Sequence, residues 1–150
     1  CSSDLYNSYS LSAIGIACHE AGHAIQHAHK YTALSLRSAL VPATNLSTGL
    51  AFPAIMLGMF LTIEMFVLIG VVLFSMGVAF ALVTLPVEWD ASHRAKTAMV
   101  EAGLLSSSEK AGASAVLNAA FLTYLAAALT NILILVYFLF RLGILGGSDD

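Results

Sequence analysis

Two histidines four residues apart, His19 and His23, flank Glu20 in the sequence His19-Glu20-Ala21-Gly22-His23. On an α-helix, residues i and i+4 lie on one face, one turn apart. Both imidazoles can then reach one zinc ion, which takes neutral nitrogen ligands. Glu20 points about 100° round the helix from His19, the angle set by 3.6 residues per turn. That disfavours it as a ligand beside the pair and suits it to take a proton from a water activated by the ion. The chemistry implied is metal-assisted hydrolysis.

A catalytic zinc usually has three protein ligands and an open position. His27 continues the i, i+4 series but lies about 12 Å along the axis from His19, too far for a bond of about 2 Å. His29 completes the longer spacing HExxHxxGxxH, yet Gln26 stands where that pattern has its glycine. Without the glycine, the chain lacks the freedom to turn back towards the metal. The third ligand is therefore sought on another element. Glu88 and Asp90 follow an apolar run and reach the same side of the membrane as the HExxH helix. Glu88, with the longer side chain, is the expected ligand. Asp90 is an alternative ligand or a group that holds a histidine N–H. Ser92 lies one turn beyond Glu88, and His93 is a candidate for binding a substrate oxyanion or for simple solvation.

These residues must be positioned by a membrane protein. Of the 150 residues, 59% are hydrophobic and 10% are charged; the mean hydropathy is +0.86. A soluble domain has an apolar share of about 45–50%. The net charge of -3, with no basic block, implies no nucleic-acid partner. Cys1 and Cys18 form neither a zinc ribbon nor a disulfide framework. Cys18 reads as a buried, inert thiol. The chain starts at Cys1 without an initiator Met and reads as part of a longer protein.

The fold class expected is all-α and polytopic, with residues 1–150 forming one membrane-embedded domain. The HExxH helix should cover about 10–29, capped by Ser8 or Ser10, with Ala13, Ile16, Ala17, Ala24 and Ile25 on its apolar side. Lys30, Arg37, Pro42 and Asn45 give residues 30–47 the look of a connector. Leu50 to Leu85 carries one formal charge, Glu64. A helix spanning a bilayer core needs about 20 residues, so this stretch predicts two spans, about 48–62 and 65–86, hinged near Thr62–Glu64. Pro86 interrupts the pattern, and residues 87–102 read as an amphipathic extension ending near Gly103. Ser106 and Glu109 form a capping box before a third span at about 113–140. Gly143, Gly146 and Gly147 close that span, ahead of the solvated Asp149-Asp150 tail. Thr123, Tyr124, Thr130 and Asn131 form a polar stripe suited to hydrogen bonding between helices.

Lys30, Arg37, Arg94, Lys96 and Lys110 all fall on one side of this layout, and Arg141 alone on the other. Positive charge stays cytoplasmic, so the HExxH helix is expected to face the cytoplasm.

The chain resembles the neutral zinc metallopeptidases of the YugP type. The resemblance rests on His19-Glu20-Ala21-Gly22-His23-Ala24-Ile25-Gln26, Leu36-Arg37-Ser38-Ala39-Leu40-Val41-Pro42 and the run Leu82 to Ser92. Leu117-Asn118-Ala119-Ala120 and Thr123-Tyr124 are similar too. It implies a further N-terminal membrane helix, and hence that this chain is a C-terminal fragment. It also implies kinship with membrane gluzincins such as the HtpX and CAAX-processing proteases, whose third ligand is the glutamate of Glu-x-x-Ala-Asp. That glutamate falls on Glu88, while the final aspartate of the motif falls on Ser92. The resemblance implies Zn²⁺ as cofactor, peptides or membrane proteins as substrates, and a bacterial plasma membrane as location.

Overall fold

A computed structural model describes residues 11–103 and 107–145. The expected caps at Ser8, Ser10 and Ser106, and the expected stops at Gly146 and Gly147, lie outside those residues, as do Cys1 and the Asp149-Asp150 tail. Among the described residues every regular element is an α-helix: α1 (Leu11–Ala28), α2 (Thr32–Leu61), α3 (Glu64–Glu101) and α4 (Ser107–Arg141). Three segments are long and apolar enough to cross a membrane: Thr32–Leu61, Glu64–Glu101 and Glu109–Arg141.

The helix ends follow from backbone chemistry. Lys30 adopts φ 51° and Thr62 φ 57°. Past α1, the Lys30 N–H donates to His27 O at 3.1 Å and the Tyr31 N–H to Gln26 O at 3.0 Å. This is the paired closure that satisfies the last carbonyls of a helix. At the hinge expected at Thr62–Glu64, the Ile63 N–H donates to Gly58 O at 2.9 Å, reaching back five residues as the Tyr31 bond does. Gly143 repeats the device after α4, at φ 69°.

The expected connector at 30–47 is instead the first half of α2, which starts sixteen residues before the predicted span and passes through Pro42 and Pro53. Proline removes one N–H and crowds one carbonyl. Membrane helices tolerate this because neighbouring groups satisfy the freed carbonyl. Likewise α3 continues through Pro86, so Glu88 sits on the same helix as the apolar run.

The chain divides into two compact units, one of residues 11–35 and 84–125 and one of residues 36–83 and 126–145. The second packs Ile55, Val67, Val71 and Phe138, with Ala51, Phe74 and Val78 in an adjoining cluster. Small residues set its helix contacts: a Cβ on Gly70 would fall 2.8 Å from Ala51 O, so the backbones of α2 and α3 touch. Close approach through small residues is the usual packing device of membrane helices. Many large apolar side chains stay exposed, Phe60 at 86% and Leu133 at 69% among them, as a lipid-facing surface requires.

The first unit packs Cys18, Ala95, Met99, Ala113 and Leu117, with Ile14 against them. Here α1 buries Ala13, Cys18, Gly22 and Gln26, whereas Ile16, Ala17 and Ala24 of the expected apolar side are exposed. The face chosen carries both glycines of α1, Gly15 and Gly22. On α4, the polar stripe is not a helix-to-helix ladder at its threonines: Thr123 donates to Ala120 O and Thr130 to Ala126 O within their own helix.

Candidate metal centre

The site lies within the first unit, where α1 crosses the stretch of α3 past its apolar run. Gly22 makes the crossing possible. A Cβ there would lie 2.3 Å from Ala91 O and 3.0 Å from Ala91 C, distances no side chain tolerates. One turn before and one turn after Gly22 on the same face come His19 and Gln26, and His23 follows Gly22 directly. Around Ala91 on α3 come Val87, Glu88, Asp90 and Ser92.

Three side chains converge there. His19 Nε2 lies 3.0 Å from Glu88 Oε2, and His23 Nε2 lies 3.6 Å from the same oxygen. The rings stand edge to face with centroids 4.8 Å apart. The ligand atoms of His19, His23 and Glu88 all fall within 4.8 Å of one another. Tetrahedral zinc with bonds near 2.0–2.1 Å needs ligand atoms roughly 3.3 Å apart. Two imidazole nitrogens and a carboxylate oxygen at these spacings fit that ion in both chemistry and size.

The other nitrogen of each ring has its own partner. His19 Nδ1 meets Ser92 Oγ at 3.3 Å. His23 Nδ1 meets Gln26 Oε1 at 2.9 Å. Gln26, fully buried, donates from Nε2 to Val87 O at 2.8 Å and to Asp90 Oδ2 at 2.9 Å. Asp90 Oδ2 also accepts from Arg94 Nε at 2.6 Å.

Electrostatics follow this arrangement. Glu88 is 1% exposed and lies beyond the apolar run that ends at Leu85. Burial opposes its ionisation, but hydrogen bonds from His19 and His23 and their attraction outweigh burial and hold its carboxyl at about 2. The hydrogen bond to Glu88 raises His23 above the usual imidazole range; burial pulls the other way, and Gln26 and Glu20 add to the rise. Burial likewise opposes ionisation of Asp90, and its bonds from Arg94 and Gln26 bring it below the usual carboxylate range. The Cys18 thiol, buried and free, is pushed up by burial.

Of the other sequence candidates, Glu20 is exposed on α1 beside His19. Asp90 touches neither histidine directly, because Gln26 stands between it and His23. Ser92, where the gluzincin pattern has aspartate, contacts His19. His93 is exposed and lines a surface cavity of about 380 Å³ with Ile25, Asp90, Arg94, Thr97 and Glu101. His27 and His29 are exposed at the end of α1. The residue that sequence reasoning missed is Gln26, read there only as a missing glycine. The available signal was its position: a polar residue one turn past His23, on the face that carries both histidines.

The model of a family described as "Putative neutral zinc metallopeptidase" matches residues 1–143. A curated protein of Bacillus subtilis (strain 168), "Putative membrane protease YugP", is 42% identical over 149 residues, covering 99% of this chain and 65% of its own length. The chain thus spans just under two thirds of the length of that relative. No solved structure matches it.

Proposed function

This chain belongs to the neutral zinc metallopeptidase family, and from that premise we propose that it hydrolyses peptide bonds in or beside a membrane, with zinc held by His19, His23 and Glu88. The observation that carries the reading is the convergence of both Nε2 atoms on one buried carboxylate oxygen, at 3.0 and 3.6 Å. Zinc bound there would supply Lewis acidity, lowering the pKa of water and polarising a carbonyl. Glu20, exposed on the same helix as both histidines, takes the proton of the attacking water and returns it to the leaving amine. Glu88 brings one negative charge, which would partly neutralise a bound dication and leave it electrophilic.

Membrane-tethered or unfolded membrane proteins are the proposed substrates, since the chain carries three segments able to cross a bilayer. The Lys and Arg distribution supports a site on the cytoplasmic side of a bacterial plasma membrane. A non-catalytic zinc protein is the rival reading. It has no use for a base at position 20, and Glu20→Gln separates the two. The peptidase reading requires wild-type protein in detergent or nanodiscs to carry one zinc per chain. Glu20→Gln should keep the metal and lose peptide cleavage. Glu88→Ala should lose the metal. Equal cleavage by chelator-treated and untreated protein would overturn the proposal.

A further inference from the structure

The amide of Gln26 has an orientation set by its neighbours. Its nitrogen contacts Val87 O at 2.8 Å and Asp90 Oδ2 at 2.9 Å. A backbone carbonyl only accepts, and so does an ionised carboxylate. The atom facing both must therefore be the NH₂ group, and its two hydrogens are then both used. The oxygen is left facing His23 Nδ1 at 2.9 Å. An amide oxygen only accepts, so His23 must carry its proton on Nδ1. In the neutral ring the lone pair is then on Nε2, the atom 3.6 Å from Glu88 Oε2.

This logic holds only while Asp90 remains an acceptor. Arg94 Nε, 2.6 Å away, donates to the same Oδ2 that takes the Gln26 hydrogen. A guanidinium is a permanent donor, so it keeps that oxygen ionised and in place.

We infer that Gln26, Asp90 and Arg94 form a positioning relay that locks His23 in its metal-binding tautomer and aims its Nε2 at the shared focus with His19 and Glu88. Gln26 is the central positioning residue, and Arg94 acts through Asp90. The relay rests on the zinc reading above, and it adds three residues that touch neither metal nor substrate. It also differs from the carboxylate–histidine contact common around zinc, because an amide is interposed. The amide has the right polarity towards both neighbours: acceptor to the imidazole, double donor to carbonyl and carboxylate. Glutamate at position 26 would set an acceptor against two acceptors and break the relay, despite nearly equal size. Methionine would keep the volume and remove every polar contact.

The test is zinc affinity, measured by chelator competition on the full chain in nanodiscs, with helix content checked by circular dichroism. Gln26→Met and Gln26→Glu should each weaken zinc binding by about 10–100-fold, the usual effect of losing a ligand-orienting partner. Arg94→Leu should weaken it less. The double variant Gln26→Met/Arg94→Leu should be no weaker than Gln26→Met alone, because the relay is already broken at its centre. Affinity within twofold of wild type in Gln26→Met would overturn the proposal. Losses that multiply in the double variant would overturn the participation of Arg94. If the Gln26 variants do not fold, Asp90→Leu, which removes the acceptor, and Arg94→Leu carry the test, and wild-type affinity in both would reject the relay. Wild-type protein that binds no zinc would instead defeat the metal site itself, an outcome distinct from all of these.

Discussion

Replacing Gly22 with alanine sets two effects of known size against each other. Alanine in a helix interior is favoured over glycine by about 1 kcal/mol, so an ordinary helical position would gain stability. At position 22 the added Cβ would lie 2.3 Å from Ala91 O, whereas ordinary contact starts at 3.4 Å. The atom in the way is backbone, so α1 and α3 must separate by about 1 Å. Overpacking of this kind costs roughly 1–3 kcal/mol, which cancels or exceeds the propensity gain. The same displacement opens the site, because Gly22 sits on α1 with both histidines and Ala91 sits on α3 one turn past Glu88. The 3.0 and 3.6 Å separations would grow towards about 4 Å or more, while a metal site tolerates deviations of only ~0.2 Å in its bonds. Zinc affinity should fall at least about tenfold, with a melting temperature equal to or below that of wild type. Chelator competition and thermal melting by circular dichroism measure both on one preparation. A variant with a raised melting temperature and unchanged zinc affinity would refute the close helix contact, and with it the account of how the site is assembled.

Other perturbations have equally definite outcomes. Ser92→Ala removes the partner of His19 Nδ1 and should weaken zinc binding several-fold, while Ser92→Asp, which restores the acidic residue of the gluzincin pattern, should retain it; equal loss in both would argue against the contact. Thr62, a β-branched residue at φ 57°, should gain up to about 1 kcal/mol on replacement by glycine, read as a higher melting temperature. The Cys18 thiol, buried and shifted up, should resist iodoacetamide at pH 8 in native protein and react after denaturation. In zinc-free protein, His23 is raised above 6.5, so its contribution is complete below that pH and is lost as pH rises through the folded value. Glu88 is lowered from 4.5 to about 2, so its contribution is complete above 4.5 and is lost as pH falls towards 2. Zinc-free protein should therefore be most stable between 4.5 and 6.5 relative to Glu88→Gln, and a flat difference across pH would contradict the pairing.

Much of the architecture was legible because membrane helices announce themselves. The apolar run from Leu50 to Leu85 could not be one span, and Thr62 at positive φ marks the turn. The helical phase of His19 and His23 needed only their spacing. What failed to show was governed by tertiary context. Pro42 and Asn45 read as a connector because their local preferences were counted alone, yet α2 runs through both. Of the apolar side expected for α1, Ala13 is buried but Ile16, Ala17 and Ala24 are exposed, because close packing selected Gly15, Cys18 and Gly22 instead. Gln26 escaped notice because its role depends on Val87 and Asp90, more than sixty positions away, and no local pattern encodes such a pairing.

His19 and Glu88 are 69 positions apart, and that separation has a thermodynamic meaning. An ion bonded to both would act as a crosslink closing a long loop, and a loop of this length removes about 4 kcal/mol of chain entropy in the simple polymer model. Much of that loop is confined to the bilayer even when unfolded, so the value is an upper bound. Metal occupancy would then be a folding parameter as well as a chemical one. Chelation should leave the membrane helices inserted while freeing α1 from α3, so that limited proteolysis between residues 11 and 31 reports zinc loading without any substrate.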